Sequence, residues 1–168
     1  ILSDTAAYVR EIIRLTGMPS TATLMGLGAV AAKTEGFTGL AGMHGAYASN
    51  MAIQECDLLL ALGTRFSDRV TGTAASFAPK ARIVHFDIDP AELNKNVRAD
   101  IPVIGDLRQT LPAFLDVVKN SSAEDLTARF RPWRGEVLSM ERAHPLGWKT
   151  SEEIRPEELI SRVRELVP

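Results

Sequence analysis

Leu58-Leu59-Leu60-Ala61-Leu62-Gly63-Thr64-Arg65 is apolar at five successive positions and then breaks at a glycine. A half-buried strand alternates apolar and polar side chains. A run without alternation suits a strand covered on both faces, as in a parallel sheet. This places a strand over residues 57–62 (DLLLAL), ended by Gly63. Working outward, residues 81–86 (ARIVHF) form a second such strand, ended by Asp87, and residues 101–104 a short third one, ended by Gly105-Asp106. Residues 47–56 (YASNMAIQEC) and 107–118 (LRQTLPAFLDVV) read as helices, the second despite Pro112. Asp89-Pro90 opens a turn or short helix, with Pro90 suited to a first helical position. Strands alternating with helices at this spacing predict an α/β fold, an open and mostly parallel doubly wound sheet of Rossmann-like type. Right-handed crossovers then put every strand's carboxyl end on one edge.

Toward the amino terminus, residues 3–16 read as a helix. Ser3 or Asp4 can accept from the free N–H groups of the first turn, and Ala7, Val9, Ile12, Ile13 and Leu15 recur at helical spacing. Gly17 and Pro19 stop it. Residues 20–25 look extended. Residues 26–45 hold six glycines, and the stretch reads mostly as loop. Beyond Lys119 the texture changes: Asn120-Ser121-Ser122 is a polar, linker-like patch. A charged helix carrying Trp133 is expected over 123–142 and an amphipathic one with Pro156 near its start over 154–167, a C-terminal helical extension with no strand of its own.

Composition narrows the function classes. The chain has 168 residues, 45% hydrophobic and 24% charged, with a net charge of −2, enough for one ordinary domain with a real core. That charge leaves no basic footprint for nucleic acid or anionic membrane. No apolar run approaches the roughly 20 residues that span a bilayer, and the first residues lack a signal peptide's layout. The single cysteine, Cys56, makes neither an internal disulfide nor a multi-cysteine zinc site and fits a cytoplasmic setting. The absence of an initiator Met is read as processing or excision from a longer chain.

Ligands of open α/β sheets sit in the crevice outside the carboxyl ends of the strands. Standing there are Thr23-Leu24, Gly63-Thr64-Arg65, Asp87-Ile88 and Gly105-Asp106. Glycines let backbone approach a ligand, and an acidic residue can accept from a ribose hydroxyl or adenine amine. Arg65 and Arg69 suit a diphosphate, which the guanidinium fork grips bidentately. Gly and Asp are also common in ordinary turns, and no G-x-G-x-x-G fingerprint is present; Gly26-Leu27-Gly28 lacks the third glycine. His44, His85 and His144 share no metal-ligand spacing, and His85 reads as packed inside its strand. Cys56 reads as a small core residue, and nothing marks a base for the Ser20-to-Thr23 hydroxyls. No catalytic residue and no metal ligand is assigned.

Taken together, TLMGLG (23–28), GMHG (42–45), LLLALGTRFSDRVTG (58–72), IVHFDID (83–89) and Gly105-Asp106 resemble, in order and spacing, the middle domain of the acetolactate synthases. FSDRVTG is the most telling segment. The resemblance covers residues 3–118, and residues up to 168 are more loosely similar to the connection into the family's diphosphate-binding domain. It implies an FAD-binding middle domain over 1–120, of the DHS-like FAD/NAD-binding fold, and a helical linker over 121–168. The implied parent is a transferase in branched-chain amino-acid biosynthesis that condenses two 2-oxo acids with thiamine diphosphate and Mg2+ held by other domains. The resemblance further implies that Thr23 and Leu24 line the flavin's ribityl or ring region and that Ala41, Gly42, Met43 and His44 contact the flavin. Gly63, Thr64 and Arg65 would hold the diphosphate or neighbouring ribityl, and Asp87, Ile88, Asp106 and Leu107 would bracket the adenosine. Asp68 and Arg69 match positions near the substrate channel. In this family the FAD performs no net redox chemistry.

A glycine-rich first strand that precedes the first helix in the family is absent here, as are its catalytic glutamate and metal motif, so the chain alone is expected to be inactive. The implied partners are the flanking domains, further copies of the parent chain and a regulatory subunit, with no nucleic acid and no membrane. The alternative is a flavin-free structural middle domain of a related thiamine-dependent 2-oxo-acid decarboxylase. A sirtuin-like deacylase of similar fold is set aside because one cysteine cannot build that family's zinc module.

Overall fold

A computed structural model describes residues 2–121, 123–147 and 153–167. The apolar run forms β3 (Leu58–Leu62), which pairs in parallel with β4 (Arg82–Asp87), and β4 pairs in parallel with β5 (Ile101–Ile104). The register runs from Leu58 beside Arg82 to Leu62 beside Phe86, and from Val84 beside Ile101 to Asp87 beside Ile104. Because side chains alternate across a strand, both faces of this sheet carry apolar groups. On one face Ala61 and Ile83 pack with Ile53, Phe66, Ala78, Val97 and Ala99. On the other, Leu62 joins Ile12, Leu111 and Leu115, and the Phe86 and Phe114 rings meet edge to face at 5.7 Å. The sheet is covered on both sides, as the unalternating runs required.

The second face is covered by α1 (Ala6–Thr16) and α4 (Leu107–Asn120), which pack together. Ser3 and Asp4 do not cap α1. Thr5 takes that position without a side-chain cap bond, and its hydroxyl instead meets that of Ser3 at 2.8 Å. Gly17 ends the helix in the left-handed conformation at φ 68°, its N–H returning to the Ile13 carbonyl. α4 is capped by the Asp106 side chain, which accepts from the Arg108 N–H at 2.9 Å.

Two expectations need correction. Residues 20–25 are extended only in β1 (Ser20–Ala22) and then turn through a single 3₁₀ turn at Leu24–Gly26. The glycine-rich stretch is not all loop: β2 (Phe37–Leu40) lies within it and pairs in parallel with β1, with an irregularity between Ser20 and Ala22. A short strand with Gly39 at φ 87° offers no periodicity to read. The helices α2 (Tyr47–Glu55) and α3 (Asp68–Thr71) follow β2 and β3.

β1 and β2 form a sheet of their own, with no ladder to β3 among the described residues. Between the unpaired edges of β1 and β3 lies a cavity of about 370 Å³, lined by both strands and by Val9, Ile12, Phe114, Phe130 and Trp133. Ser20 Oγ, at this edge, is buried with no hydrogen-bond partner among the described residues.

The charged helix α5 (Ala123–Ala143) packs on α1 and α2. Val137 is fully buried, Thr127 Oγ1 donates to the Leu15 carbonyl at 3.1 Å, and His144 stacks obliquely on Tyr47 at 3.9 Å. The last helix, α6 (Pro156–Leu166), has no buried residue, and Leu159, Ile160, Val163 and Leu166 are exposed. Among the described residues no helix is long and apolar enough to cross a membrane.

Candidate functional site

Parallel strands end on one side, and the sequence-derived site residues gather there. Gly63, after β3, donates its N–H to the Phe86 carbonyl in β4 at 2.8 Å, and Gly105, after β5, donates to the Asp87 carbonyl at 2.9 Å. Gly63, Asp87 and Gly105 therefore stand in a row across three adjacent strand ends. On the smaller sheet, Ala41 N–H donates to the Ala22 carbonyl at 2.8 Å, so Thr23 and Ala41 are neighbours at the ends of β1 and β2. The two groups are joined by the loops. Met43 N–H donates to the Arg69 carbonyl at 2.8 Å, which ties Ala41-Gly42-Met43-His44 to Asp68-Arg69.

The residues differ in what they present. Leu24, Met43 and Ile88 are exposed apolar side chains around the crevice, and His44, Gly63, Arg65, Asp68 and Arg69 are exposed as well. The guanidinium groups of Arg65 and Arg69 engage no carboxylate among the described residues, which leaves both available to an anion. Ala41, Gly42 and Asp87 are buried. Asp87 Oδ1 is already used, accepting from the Asp89 N–H at 2.9 Å.

Asp106 is likewise engaged. Its carboxylate caps α4 and pairs with Arg108 Nη2 at 2.6 Å and Nε at 3.0 Å. The Arg108 hydrogen bonds hold this carboxyl below its ordinary range, and Asp106 in turn holds the Arg108 guanidinium above its own. Both oxygens of Asp106 thus have protein partners, and Leu107 beside it is half-buried among the apolar residues of α1 and α4.

Several residues that build the site are not legible as site residues. Asn50 in α2 clamps Gly42 from both sides: its Oδ1 accepts from the Gly42 N–H at 2.8 Å, and its Nδ2 donates to the Gly42 carbonyl at 2.9 Å. Phe66 adopts φ 46° with its ring buried, a conformation sparsely populated by residues with a Cβ. Asn96 Nδ2 donates to the Arg65 carbonyl at 3.2 Å. These bonds span 8 and 31 residues of sequence and leave no local pattern to find.

His85 is fully buried in β4, as its place inside the strand predicts. Cys56 is buried as expected, and burial pushes its thiol up to about 11. Among the described residues no group of three or more His, Cys, Asp and Glu side chains stands close enough to hold a metal ion.

Among the described residues the strand ends thus bring together Gly63 and Gly105, the Arg65 and Arg69 guanidiniums without a carboxylate partner, and the exposed apolar side chains of Leu24, Met43 and Ile88.

Residues 1–114 match the family model described as thiamine pyrophosphate enzyme, central domain. The chain is 47% identical over 136 residues to the acetolactate synthase isozyme 2 large subunit of Escherichia coli, a match covering 79% of this chain and 25% of that protein. It is 43% identical over 152 residues to the acetolactate synthase large subunit of Parasynechococcus marenigrum (90% of this chain, 24% of that protein). It is 42% identical over 159 residues to the chloroplastic acetolactate synthase 1 of Zea mays (94% of this chain, 25% of that protein). The chain spans about a quarter of the length of these relatives. With the family match covering all five strands and the strand-end residues between Thr23 and Leu107, the chain belongs to the central-domain family of the thiamine pyrophosphate enzymes.

Proposed function

We propose that this chain is the FAD-binding, non-catalytic central domain of an acetolactate synthase. The parent reaction is the thiamine-diphosphate-dependent condensation of two 2-oxo acids in branched-chain amino-acid synthesis. The observation that carries the reading is the convergence of Gly63, Arg65, Asp87 and the Ala41-to-His44 loop at one edge of parallel strands, with the Arg65 and Arg69 guanidiniums engaging no carboxylate among the described residues. An open glycine at φ 61° and a free arginine fit a diphosphate, and exposed Leu24, Met43 and Ile88 fit the flat faces of a flavin and an adenine. Names of the relatives support the acetolactate synthase reading over the flavin-free decarboxylase alternative.

In this reading Gly63, Thr64 and Arg65 hold the diphosphate, Thr23, Leu24 and Ala41 to His44 meet the flavin, and Asp87, Ile88 and Leu107 border the adenosine. Asp106 contributes by capping α4 and so fixing the Gly105 turn. The bound FAD supplies a rigid planar surface and no net redox step. Asp68 and Arg69 face the substrate channel of the parent. Thiamine diphosphate and Mg2+ belong to the flanking domains, and the parent is a cytoplasmic homo-oligomer that engages a regulatory subunit, in keeping with the "large subunit" in the relatives' names.

The cavity between β1 and β3 supports the further reading that one more strand, ahead of α1 in the parent, lies between the two sheets. The isolated chain, with that edge open, binds FAD weakly.

Quenching of flavin fluorescence during titration with the chain tests the site. Arg65→Ala and Asp87→Asn should each weaken binding, with far-ultraviolet circular dichroism confirming the fold. Unchanged affinity in both would place the flavin elsewhere. A longer chain carrying the preceding strand should bind more tightly than this one; equal affinity would remove the added strand from the account.

A further inference from the structure

We propose that His85 is a positioning residue, whose Nε2–H latches the Thr64 carbonyl and so fixes the turn that presents Arg65 to the ligand. The inference rests on the strand-end site proposed above and assigns a function to a residue that the sequence reading left as packing.

His85 lies opposite Ala61 in the ladder of β3 and β4 and is fully buried. Its Nε2 stands 2.8 Å from the Thr64 carbonyl oxygen. A carbonyl can only accept, so the proton of this bond sits on Nε2. The next carbonyl, that of Arg65, is held from a different element by Asn96 Nδ2 at 3.2 Å. Two successive peptide planes are thus fixed from inside the fold. The turn they define begins at Gly63, φ 61°, and ends at Phe66, φ 46°. A non-glycine residue stays in that region only where its surroundings over-determine it. Here the Phe66 ring is buried edge-on between His85, at 4.8 Å between centroids, and Phe77, at 5.5 Å. The same imidazole therefore meets the turn twice, through its Nε2–H at Thr64 and through its ring at Phe66. Arg65, between them, is left exposed at the strand end.

The other ring nitrogen makes the case sharper. Nδ1 is buried and has no hydrogen-bond partner among the described residues. Burying an unpartnered polar atom is unfavourable, and an aliphatic or phenyl side chain would fill this space without that cost. What such a side chain would lack is the Nε2–H. The carboxylate of Asp87 is too distant to take over the bond, with Oδ2 at 3.9 Å from Nε2.

The experiment uses wild type, His85→Gln and His85→Phe. Glutamine keeps a donor at the reach of Nε2, whereas phenylalanine keeps the ring and loses the donor. Long-range proton–nitrogen correlation of the wild-type imidazole, recorded without flavin, should show Nε2 carrying the proton; a bare Nε2 overturns the latch whatever the flavin does. In FAD titrations His85→Phe should lose affinity by about tenfold, the net worth of one ordinary hydrogen bond, and His85→Gln should recover most of it. In an Arg65→Ala background the loss from His85→Phe should vanish, because the latch acts through Arg65. Equal losses in both backgrounds would mean general destabilisation and overturn the assignment. If wild type binds no FAD, the flavin reading fails separately. The latch is then decided by the imidazole spectrum and by whether the 63–66 amide resonances move in His85→Phe and return in His85→Gln.

Discussion

The Met43 N–H donates to the Arg69 carbonyl at 2.8 Å, and this bond joins the loop after β2 to the short helix after β3. It brings two distant motifs together as one wall of the crevice. Gly42 makes the approach possible. It sits at φ 103°, and a Cβ there would press on the Arg69 carbonyl oxygen and stand 3.0 Å from Val70 Cα. Gly42→Ala is therefore expected to destabilise by about 1–3 kcal/mol through backbone strain alone and to disturb the Arg69 amide region. Urea denaturation checks the first effect, and an unchanged midpoint would show that the two loops are not in contact in solution.

Asn50 holds Gly42 by both its N–H and its carbonyl. Asn50→Ala leaves two half-buried backbone groups without these partners, an expected loss of about 1–3 kcal/mol. Asn50→Asp keeps the acceptor and loses the donor, so it should fall between wild type and alanine near neutral pH. Thermal unfolding distinguishes the three proteins, and equal melting temperatures would contradict the clamp.

Leu111 is fully buried where α1 and α4 meet the sheet. Leu111→Ala should cost about 2–5 kcal/mol, the usual range for a buried leucine whose site cannot collapse. The loss is measured as a lower urea midpoint with an unchanged slope.

Cys56 offers a pH test with a definite sign. Burial raises its thiol from 9.0 to about 11, so the folded state binds the proton more tightly than the unfolded chain does. Its contribution to stability is complete below pH 9.0 and is lost as the pH rises toward about 11. A thiol reagent at pH 8 should react slowly with the native chain and rapidly after unfolding in urea. Rapid reaction in the native state would contradict the burial.

Asp106 titrates in the opposite sense. Its folded-state value lies below the ordinary 3.8, held down by Arg108, so the cap supports α4 above that pH and is lost as the pH falls through the lowered value. The difference in unfolding midpoint between wild type and Asp106→Ala should be full near neutrality and shrink only below pH 3.8. A difference that does not vary with pH would show that the carboxylate is not the capping group.

Much of this was legible in the sequence for physical reasons. The unalternating runs that became β3 and β4 are apolar because both faces of that sheet are covered, by Phe66 and Ile53 on one side and by Leu111 and Leu115 on the other. Glycine and aspartate marked the strand ends because the chain turns there, with Gly63 at φ 61° and Asp106 capping α4. Phe37–Leu40 was hidden because four residues including Gly39 carry no period, and its pairing with β1 is a long-range choice. The packing of α5 was hidden because Val137 and Trp133 stand among charged residues with no continuous stripe. The site's internal scaffold was hidden for a related reason. The bonds from Asn50, His85 and Asn96 all end on backbone atoms of other elements, and a backbone atom has no identity in the sequence.

The central claim is that the strand ends of this domain hold FAD. Chemical-shift mapping tests it most directly, because it locates even weak binding. A uniformly nitrogen-15-labelled chain titrated with FAD should show amide shifts at Thr23, Leu24, Gly42, Met43, Gly63, Thr64, Arg65 and Ile88, attenuated in Arg65→Ala. Absence of shifts at saturating FAD, or shifts confined to Val9, Ile12, Phe130 and Trp133, would contradict it.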